Sequence, residues 1–436
     1  MRITKKVTVV ASQTLRTQCF NWASKHSYYV WLDSNQYPAS NAEFEWCLAV
    51  GVQDEIKISP SQLVNIKDLQ AFVNSKKDWL FGYLSYDLKN AFECLKSTNS
   101  DYLQFPSLHF IQPQKILLYK EGALHFLYNH DAVNEISGDW QAIQNIQNLN
   151  PYKQRLNTET LNIQARISKE QYISRVEAIL QHIQKGDVYE LNYCFDYFAE
   201  QAYVDMASVF QNLNAMSLTP FAALWDTPQH AIASASMERF LKKKKQTLIS
   251  QPIKGTAPRA TNPEKDAILA SNLASNPKER SENIMITDLV RNDFSRIARP
   301  NTVKVPELCK VYPYKQVQQM QSTVACKLPK SCDFTTILKA TFPMGSMTGA
   351  PKIKALELID LFENFKRGPY SGALGYITPT GDFDFNVLIR SVFYNKETNY
   401  LSVPIGSAIT AQANALQEYD ECQLKAHALR KVLQAL

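Results

Sequence analysis

The chain has 436 residues, 45% of them hydrophobic, which is enough for a large core and for one to three domains. Its 47 basic and 41 acidic residues give a formal net charge of +6, which suits a protein that handles small anions as well as one that handles nucleic acid. The apolar run after the basic N-terminus covers only residues 7–11. Because that run is too short for a signal peptide or a spanning helix, we expect a cytoplasmic protein that makes no membrane contact.

The eight cysteines are scattered, with neither CxxC pairs nor the spacing of a zinc site. We therefore expect reduced and mostly buried thiols.

Residues 1–135 form an N-terminal region in which short strands and helices are predicted. Apolar segments at 28–32 and 79–84 are typical of strands, and residues 120–122 are predicted to be the turn of a hairpin. Residues 136–165 then become polar and rich in Asn and Gln, so we interpret them as a connector.

Residues 166–436 begin with a well-marked helix and strand. Ser168 and Gln171 form a capping-box pattern, the residues that follow keep one helical face apolar, and Gly186 stands where the helix should end. Residues 187–198 alternate with a period of two, which predicts a strand. The basic run at 242–245 predicts a solvated hairpin turn rather than a nucleic-acid patch, because no second basic cluster accompanies it.

The stretch PIKGTAPR at residues 252–259 places a single lysine between two prolines. Proline fixes φ and glycine widens the accessible backbone, so Lys254 is predicted to lie on a short, stiff turn. Taken alone, this pattern is more typical of a surface turn with an incidental charge.

Two predicted helices carry pairs of carboxylates. On the first, Glu279 is placed to cap the helix, whereas Glu282 shares a stripe with apolar residues and is expected to face the interior. On the C-terminal helix, Glu418, Glu421 and Lys425 share a stripe. One alternative is an exposed ion pair between Glu421 and Lys425 worth a few tenths of a kcal/mol. The other is that the two helices converge on a hard cation, and oxygen ligands favour Mg²⁺.

Six short motifs stand in the order that is typical of one enzyme family. They are GDVYELN at 186–192, MERF at 237–240, PIKGTAPR at 252–259, KERSEN at 278–283 continuing to DLVRND at 288–293, GSMTGAPK at 345–352, and IR at 389–390. Together they resemble the chorismate-utilising enzymes, from about residue 168 to the C-terminus and more loosely before it. The resemblance implies the α/β (α+β) fold of anthranilate synthase component I, with two large, mostly antiparallel sheets that face each other and helices outside.

Position 254 separates the branches of this family. The aminodeoxychorismate synthases have PIKGT in component I, whereas anthranilate synthase component I typically has alanine in place of the lysine. The isochorismate and salicylate synthases, which use water, place a lysine at the position that aligns with Glu190. The resemblance therefore implies the aminodeoxychorismate branch, which makes 4-amino-4-deoxychorismate for para-aminobenzoate and folate synthesis.

The substrates that this branch uses are chorismate and ammonia, and the ammonia would come from a separate glutamine amidotransferase. The chain itself shows no nucleophilic cysteine on a glycine-flanked elbow, so we expect it to have no glutaminase activity of its own.

The family resemblance also implies a set of site residues. Mg²⁺ would be held by Glu282 and Glu421, with Glu279 and Glu418 as supporting partners. The substrate would be bound by Arg390, Lys425, Tyr376, Gly406 and Thr348.

Displacing the hydroxyl of chorismate requires a cation on the ring carboxylate, an acid for the leaving oxygen and a nucleophile. Mg²⁺ would supply the first. Glu238 is the candidate acid, with a pKa raised by burial, although a structural partner of Arg239 or Lys254 is nearly as good an interpretation. Lys254 is the candidate nucleophile. An ordinary lysine is neutral in about one molecule in 2,500 at pH 7, so we expect the pocket to lower its pKa.

Two rival interpretations stay open. The first is anthranilate synthase component I, which Lys254 argues against. The second is a non-catalytic protein that binds anions or nucleic acid, although four acidic positions in one cleft are unfavourable for phosphate. The chain also departs from the family pattern, because Glu190 replaces the usual glutamine and Ser407-Ala408 stand in a segment normally richer in glycine.

Overall fold

The computed structural model describes residues 2–9, 12–37, 43–93, 95–147 and 161–434. The strands within these ranges are β1 (Ile3–Thr8), β2 (Tyr29–Asp33), β3 (Trp46–Val50), β4 (Asp54–Ile58), β5 (Leu80–Leu84), β6 (Leu108–Gln112), β7 (Lys115–Lys120), β8 (Ala123–Tyr128), β9 (Gln164–Ala165), β10 (Glu190–Ala199), β11 (Phe221–Asp226), β12 (His230–Ser236), β13 (Arg239–Lys244), β14 (Thr247–Gln251), β15 (Ile253–Pro258), β16 (Lys304–Pro313), β17 (Val317–Lys327), β18 (Gly349–Ala350), β19 (Ala373–Ile377), β20 (Phe383–Val387), β21 (Ser391–Asn395) and β22 (Tyr400–Thr410).

The helices in the same ranges are α1 (Gln13–Ala23), α2 (Ile66–Lys76), α3 (Lys89–Phe92), α4 (Ile136–Gln144), α5 (Lys169–Gln184), α6 (Met206–Ser217), α7 (Pro263–Ser275), α8 (Pro277–Ser295), α9 (Phe334–Thr341), α10 (Lys352–Phe362) and α11 (Ala415–Gln434). None of the helices in the described residues is both long enough and apolar enough to cross a membrane.

Two large sheets organise the described part of the chain. The first has twelve strands in the order β1-β8-β7-β3-β2-β11-β12-β21-β22-β10-β18, with β9 beside β10. The second has ten in the order β15-β17-β14-β13-β20-β19-β5-β6-β4, with β16 beside β17. The strand pairs in the described residues are antiparallel. The predicted pair of large antiparallel sheets is therefore confirmed.

One sheet face packs on helices and the other on the second sheet, as strand β2 illustrates. Tyr29 and Trp31 belong to the core that the first sheet shares with its helices, whereas Val30 and Leu32 belong to the core between the sheets. This division follows from the period of two along a strand. Because β2 has an apolar core on each side, all five of its residues are buried.

Several local predictions are confirmed. The hairpin at 120–122 joins β7 to β8, and the basic run at 242–245 lies in the hairpin of β13 and β14. Lys244 and Lys245 are exposed as predicted, but Lys242 is buried beside Asp384, because it lies on the paired part of β13. Helix α5 begins with a complete capping box between Ser168 and Gln171, and Gly186 follows it with φ of +83°. The seven cysteines among the described residues are free thiols and six are buried.

The N-terminal region does not form a layer of its own. It contributes β1, β2, β3, β7 and β8 to the first sheet and β4, β5 and β6 to the second. The predicted connector, residues 136–165, contains α4 and the short β9, with Ile136 and Ile143 in the core; its residues 148–160 lie outside the described ranges.

Candidate active site

The PIKGTAPR stretch forms strand β15 at the edge of the second sheet rather than an isolated turn. Its pairing with β17 changes register between Ile253 and Thr256, so Lys254 and Gly255 lie in an irregular part of the ladder. Gly255 has φ of +92°, and a Cβ there would stand 2.9 Å from Glu279 Oε2. Glycine is thus required both by the backbone conformation and by the close approach of helix α8.

Lys254 points into the protein and makes an ion pair with Glu190. Its Nζ lies 2.6 Å from Glu190 Oε1, and the side chains of Lys254 and Glu190 are 10% and 1% exposed. Glu190 comes from β10 in the first sheet, so this contact joins the two sheets across the site. Lys254, the lysine between the two prolines, is therefore a buried group with a specific partner.

The motif GSMTGAPK forms a loop against strand β10. Gly349 pairs with Leu191, and a Cβ at Gly349 would lie 2.1 Å from the backbone oxygen of Glu190. Thr348 is buried, its backbone oxygen accepts a 2.7 Å hydrogen bond from the Asn192 N–H, and its hydroxyl donates to the Met344 oxygen at 3.2 Å. In this arrangement Thr348 fixes the loop beside Glu190.

Glu238 is buried next to the same lysine. The Ser346 hydroxyl donates a hydrogen bond to Glu238 Oε1, so the loop also reaches this carboxyl. Burial raises the pKa of Glu238 to about 8, against the opposing effects of Ser346 and Lys254. A raised pKa is what the sequence analysis requires of an acid at this position, since the carboxyl then holds its proton at pH 7.

The pKa of Lys254 shifts in the direction opposite to the prediction. Burial alone would lower it, but the negative charges of Glu190 and Glu282 outweigh burial and raise it above the ordinary value. The sequence argument considered only desolvation and could not foresee the carboxylates that the fold brings to the amine.

Helix α8 presents Glu282 to the same region. Its side chain is 12% exposed, and burial raises its pKa to about 7 although Lys254 opposes the shift. Glu282 Oε1 is buried and has no hydrogen bond to any described residue, and Lys278 Nζ is 3.9 Å away. The predicted interior orientation of Glu282 is confirmed.

Helix α11 brings the second pair of carboxylates. Glu418 is buried, lies 3.5 Å from Lys278 Nζ, and has a pKa raised by burial and by Glu421. Glu421 is about half exposed and forms a 2.6 Å ion pair with Lys425, which lowers its pKa. The ion pair that the sequence offered as one alternative therefore exists. Glu279 completes the set, with a pKa raised by burial.

These four carboxylates fit a hard cation in their chemistry. Their pKa values and the unpartnered Glu282 Oε1 show negative charge that Lys278 only partly compensates. As the side chains stand in the described residues, no three acidic, His or Cys groups lie close enough to form a complete protein shell. Mg²⁺ needs only one or two protein carboxylates, because it keeps waters and shares its remaining positions with an anionic substrate.

Two basic residues line one cavity beside this region. Arg390 has φ of +52°, and its guanidinium donates to the Lys425 backbone oxygen at 3.1 Å. Lys425 Nζ donates to the Gly406 backbone oxygen at 3.0 Å. Arg390 has no carboxylate within ion-pairing distance among the described residues, and burial lowers its pKa. A buried guanidinium that lacks a negatively charged partner among the described residues is suited to an anionic ligand.

Gly406 allows two strands to approach each other. A Cβ there would meet Cys194 Sγ at 2.4 Å. The neighbouring Ser407 is buried and contacts the Tyr172 hydroxyl at 2.8 Å, so its side chain belongs to the helix-packed core. The substitution of Ser407 for a glycine is therefore accommodated by a polar contact on the face opposite Gly406.

The structure does not bring Tyr376 to the other predicted substrate contacts. Tyr376 lies on β19, five strands from β15 in the second sheet, and packs against Phe44, Trp79 and Phe81 at ring separations of 5.1, 5.4 and 6.2 Å. It lines a cavity that neither Lys254 nor Arg390 lines.

Tyr370 is the tyrosine that interacts electrostatically with Arg390. It is buried, it contacts the Cys194 thiol, and its hydroxyl opposes the lowering of the Arg390 pKa. The sequence analysis missed Tyr370. The signal that could have found it is its turn, between Gly368 with φ of +57° and Gly372, whose Cβ would stand 2.1 Å from the Leu84 oxygen.

Comparison with known proteins agrees with this geometry. Residues 28–431 match the family described as chorismate binding enzyme. The chain is 33% identical over 342 residues to aminodeoxychorismate synthase component 1 of Salmonella typhimurium, covering 78% of this chain and 73% of that protein. It is 37% identical over 257 residues to the component 1 of Klebsiella aerogenes, covering 59% and 56%.

A second branch is also similar. The chain is 30% identical over 361 residues to anthranilate synthase component 1 of Saccharolobus solfataricus, covering 82% of this chain and 81% of that protein. Among solved structures, anthranilate synthase component I of Streptococcus pneumoniae superposes with a TM-score of 0.78 and 25% identity, covering 88% of this chain and 91% of that one. With the family matching nearly the whole chain, and the expected fold and motifs in place, the chain belongs to the chorismate binding enzymes.

Proposed function

We propose that the chain converts chorismate and ammonia to 4-amino-4-deoxychorismate, as the first component of an aminodeoxychorismate synthase. The observation on which this depends is the buried amine of Lys254, paired with Glu190 and close to the protonated Glu238. The proposed nucleophile, on β15, and the proposed acid, on the residue before β13, interact electrostatically with each other. The names of the bacterial relatives support the same branch.

In this proposal, the basic cavity binds the substrate carboxylates. Arg390 supplies a guanidinium without a carboxylate partner, and Lys425 lines the same cavity. Tyr370 beside Arg390 replaces Tyr376 as the tyrosine of the substrate site. Binding of a dianion here would restore charge balance to a buried arginine.

The reaction then uses Glu238 and Lys254. Lys254 attacks the ring, the bond between ring carbon and hydroxyl oxygen breaks, and Glu238 protonates the leaving oxygen. Ammonia afterwards displaces Lys254 from the ring. A covalent adduct divides one difficult displacement into two easier ones.

Glu282 and Glu421 would hold Mg²⁺, with Glu279 and Glu418 supporting them. When bound, the ion would draw electrons toward the ring carboxylate. The ammonia would come from a separate amidotransferase subunit, as the designation component 1 of the relatives suggests.

Product analysis tests the proposal. Purified protein, chorismate, Mg²⁺ and an ammonium salt at elevated pH should give 4-amino-4-deoxychorismate, whereas glutamine in place of ammonium should give none. Formation of anthranilate and pyruvate by the wild-type chain would contradict the proposal in favour of the rival branch.

Lys254 is tested in the same assay. We expect Lys254→Ala to lose this product and Lys254→Arg to fail as a replacement, because guanidinium stays protonated and cannot attack. Wild-type protein quenched without ammonia should show a mass increase on the peptide that contains Lys254. Lys245→Ala, an exposed lysine of the basic hairpin, is the matched control and should behave as wild type. Normal product formation by Lys254→Ala would show that Lys254 is structural.

A further inference from the structure

One carboxylate oxygen of Glu190 accepts a hydrogen bond from Lys254, and the other accepts none from the described residues. Lys254 Nζ donates to Glu190 Oε1 at 2.6 Å. Glu190 Oε2 is buried and has no hydrogen-bond partner among the described residues. A buried carboxylate oxygen without a donor is costly, so its presence at a reacting centre requires an explanation.

The backbone holds Glu190 rigidly in this position. Its residue pairs with Thr410 of β22 on one side and with Ala350 of β18 on the other. The loop glycine Gly349 lies so close to the Glu190 backbone oxygen that a Cβ would stand 2.1 Å from it. Because Glu190 lies on a strand paired on both sides, its carboxylate is preorganised against the amine.

The proposed attack needs a neutral amine, which the surroundings of Lys254 oppose. Five carboxyl groups interact electrostatically with Lys254: Glu190, Glu282 and Glu238, which raise its pKa, and also Glu279 and Glu421. An amine that must first lose its proton to solvent would therefore react slowly at neutral pH. The proton must pass to a group already in contact with the nitrogen.

Of these carboxyl groups, Glu190 is the one that contacts the Lys254 amine in the described part of the chain, so it can receive that proton directly. Glu238 is itself protonated at neutral pH and is occupied by the Ser346 hydroxyl. Glu282 makes no hydrogen bond to Lys254 among the contacts of the described residues. Transfer along the 2.6 Å hydrogen bond converts two buried charges into two neutral groups, and burial favours the neutral forms.

We propose that Glu190 is the catalytic base that takes the proton of Lys254 before attack and returns it at the end of the cycle. This inference rests on the proposed function and deepens it. It assigns a role to the residue at which this chain departs from the glutamine of the family pattern.

The proton balance of the cycle closes. Lys254 gives one proton to Glu190, its nitrogen bonds to the ring, the ring–hydroxyl bond breaks, and Glu238 protonates the hydroxyl, which leaves as water. Ammonia then bonds to the ring as the bond from the ring to Lys254 breaks, and its surplus proton passes to Glu238. Glu190 finally returns its proton to Lys254. The sum is chorismate and ammonia giving the amine and water.

Glu190→Gln separates a base from a mere holder of the lysine. The amide oxygen of glutamine can accept the Lys254 hydrogen bond at the same place but cannot take its proton. We expect adduct formation on Lys254, measured by quenched-flow mass spectrometry with chorismate and Mg²⁺, to be slower at pH 7 by about 100-fold, the lower end of general-base contributions. The rate of this variant should rise about tenfold per pH unit as solvent removes the proton.

Glu190→Asp is the matched control, because it keeps a carboxylate. It should form the adduct faster than Glu190→Gln at pH 7 and with a shallower dependence on pH. Chorismate affinity and melting temperature, measured alongside, show whether the variants are folded. If Glu190→Gln does not fold, Glu190→Ala takes its place: slow adduct formation at pH 7 that rises with pH supports the base, and a wild-type rate overturns it.

A wild-type rate and pH profile in Glu190→Gln would overturn the base and leave Glu190 a positioning residue. That result is distinguishable from failure of the proposed function. If wild-type protein makes no 4-amino-4-deoxychorismate, the proposed function fails whatever the variants show. If it makes the product and Glu190→Gln is unimpaired, only the role of Glu190 fails.

Discussion

The strand-borne and helix-borne parts of the site differ in how their charges are balanced. Lys254, Glu190 and Glu238 lie on or beside strands of the two sheets, with short and specific contacts. On α8 and α11, Glu418 and Glu282 share one partly exposed lysine, Lys278, at 3.5 and 3.9 Å, whereas Glu421 pairs with Lys425. In the first group one oxygen, Glu190 Oε2, has no partner among the described residues, whereas the second group has four carboxylates beside two lysines. We infer that the two sheets preorganise the proposed reacting groups, whereas the carboxylates on the helices suit an added cation.

The largest effect should come from the strand-borne acid. Glu238→Gln removes a proton donor to the leaving oxygen, so turnover should fall about 10²–10⁴-fold. In wild type, turnover should also decline as pH rises above about 8, where Glu238 loses its proton. Steady-state rates between pH 6 and 10 measure both. Glu43→Gln, on the side of the other cavity, is the control. Full activity of Glu238→Gln would show that another group protonates the leaving oxygen.

The helix-borne group should respond to metal rather than to pH. Glu282→Gln is expected to raise the Mg²⁺ concentration that gives half-maximal rate. Activity should fall by about 100-fold, the upper end of the loss seen when an outer partner of a metal ligand is removed. Glu421→Gln should act in the same direction. Asp288→Asn, an exposed carboxylate of the same helix, should have no effect. Full activity in excess EDTA would remove the metal from the proposal.

Replacing each of the two tyrosines by phenylalanine tests which of them binds the substrate. Tyr370→Phe should raise KM for chorismate by about three- to tenfold, the value of one hydrogen bond, with kcat less affected. Tyr376→Phe should leave KM unchanged, because Tyr376 lines the other cavity. Steady-state kinetics of the two variants compare them directly. A KM effect for Tyr376→Phe alone would restore the assignment drawn from the sequence.

The smallest effect should appear in stability. The pKa of Glu238 rises from 4.5 to about 8 on folding, so the folded state binds more protons than the unfolded state between these values. The contribution of this group is fully present below pH 4.5 and is lost as pH rises through about 8. Glu238→Gln cannot ionise, so its melting temperature relative to wild type should be higher at pH 9 than at pH 5. An equal difference at both pH values would contradict the raised pKa.

Much of the site could be predicted from motifs because each motif is local. The capping box of α5, the strand at β10, and the positions of Glu282 and Lys254 follow from spacing and residue type. Glu238 was named as the acid from the family motif and from the chemistry of chorismate, which requires a proton for the leaving oxygen. The helix and strand follow from periodicity, whereas the roles of Glu238 and Lys254 follow from the family resemblance.

The partners of these residues could not be predicted, since they come from distant parts of the chain. Glu190 is 64 residues from Lys254, and their contact exists because β10 and β15 belong to different sheets that face each other. Burial of Lys254 could be predicted, but its carboxylate neighbours could not. The sequence therefore predicted a lowered pKa for Lys254, whereas the structure shows a raised one. Tyr376 and Tyr370 are only six residues apart, yet Tyr376 packs against Phe44, Trp79 and Phe81 whereas Tyr370 contacts Cys194 and Phe393.

The family and the class of fold could be predicted from the amino-acid sequence, because short motifs encode local backbone geometry and side-chain chemistry. Which charges meet depends on tertiary structure: Lys254 pairs with Glu190, and Glu282 and Glu418 from two helices share Lys278. The physical reason is that electrostatic interactions depend on distance and burial, which the packing of two sheets sets and the order of residues does not.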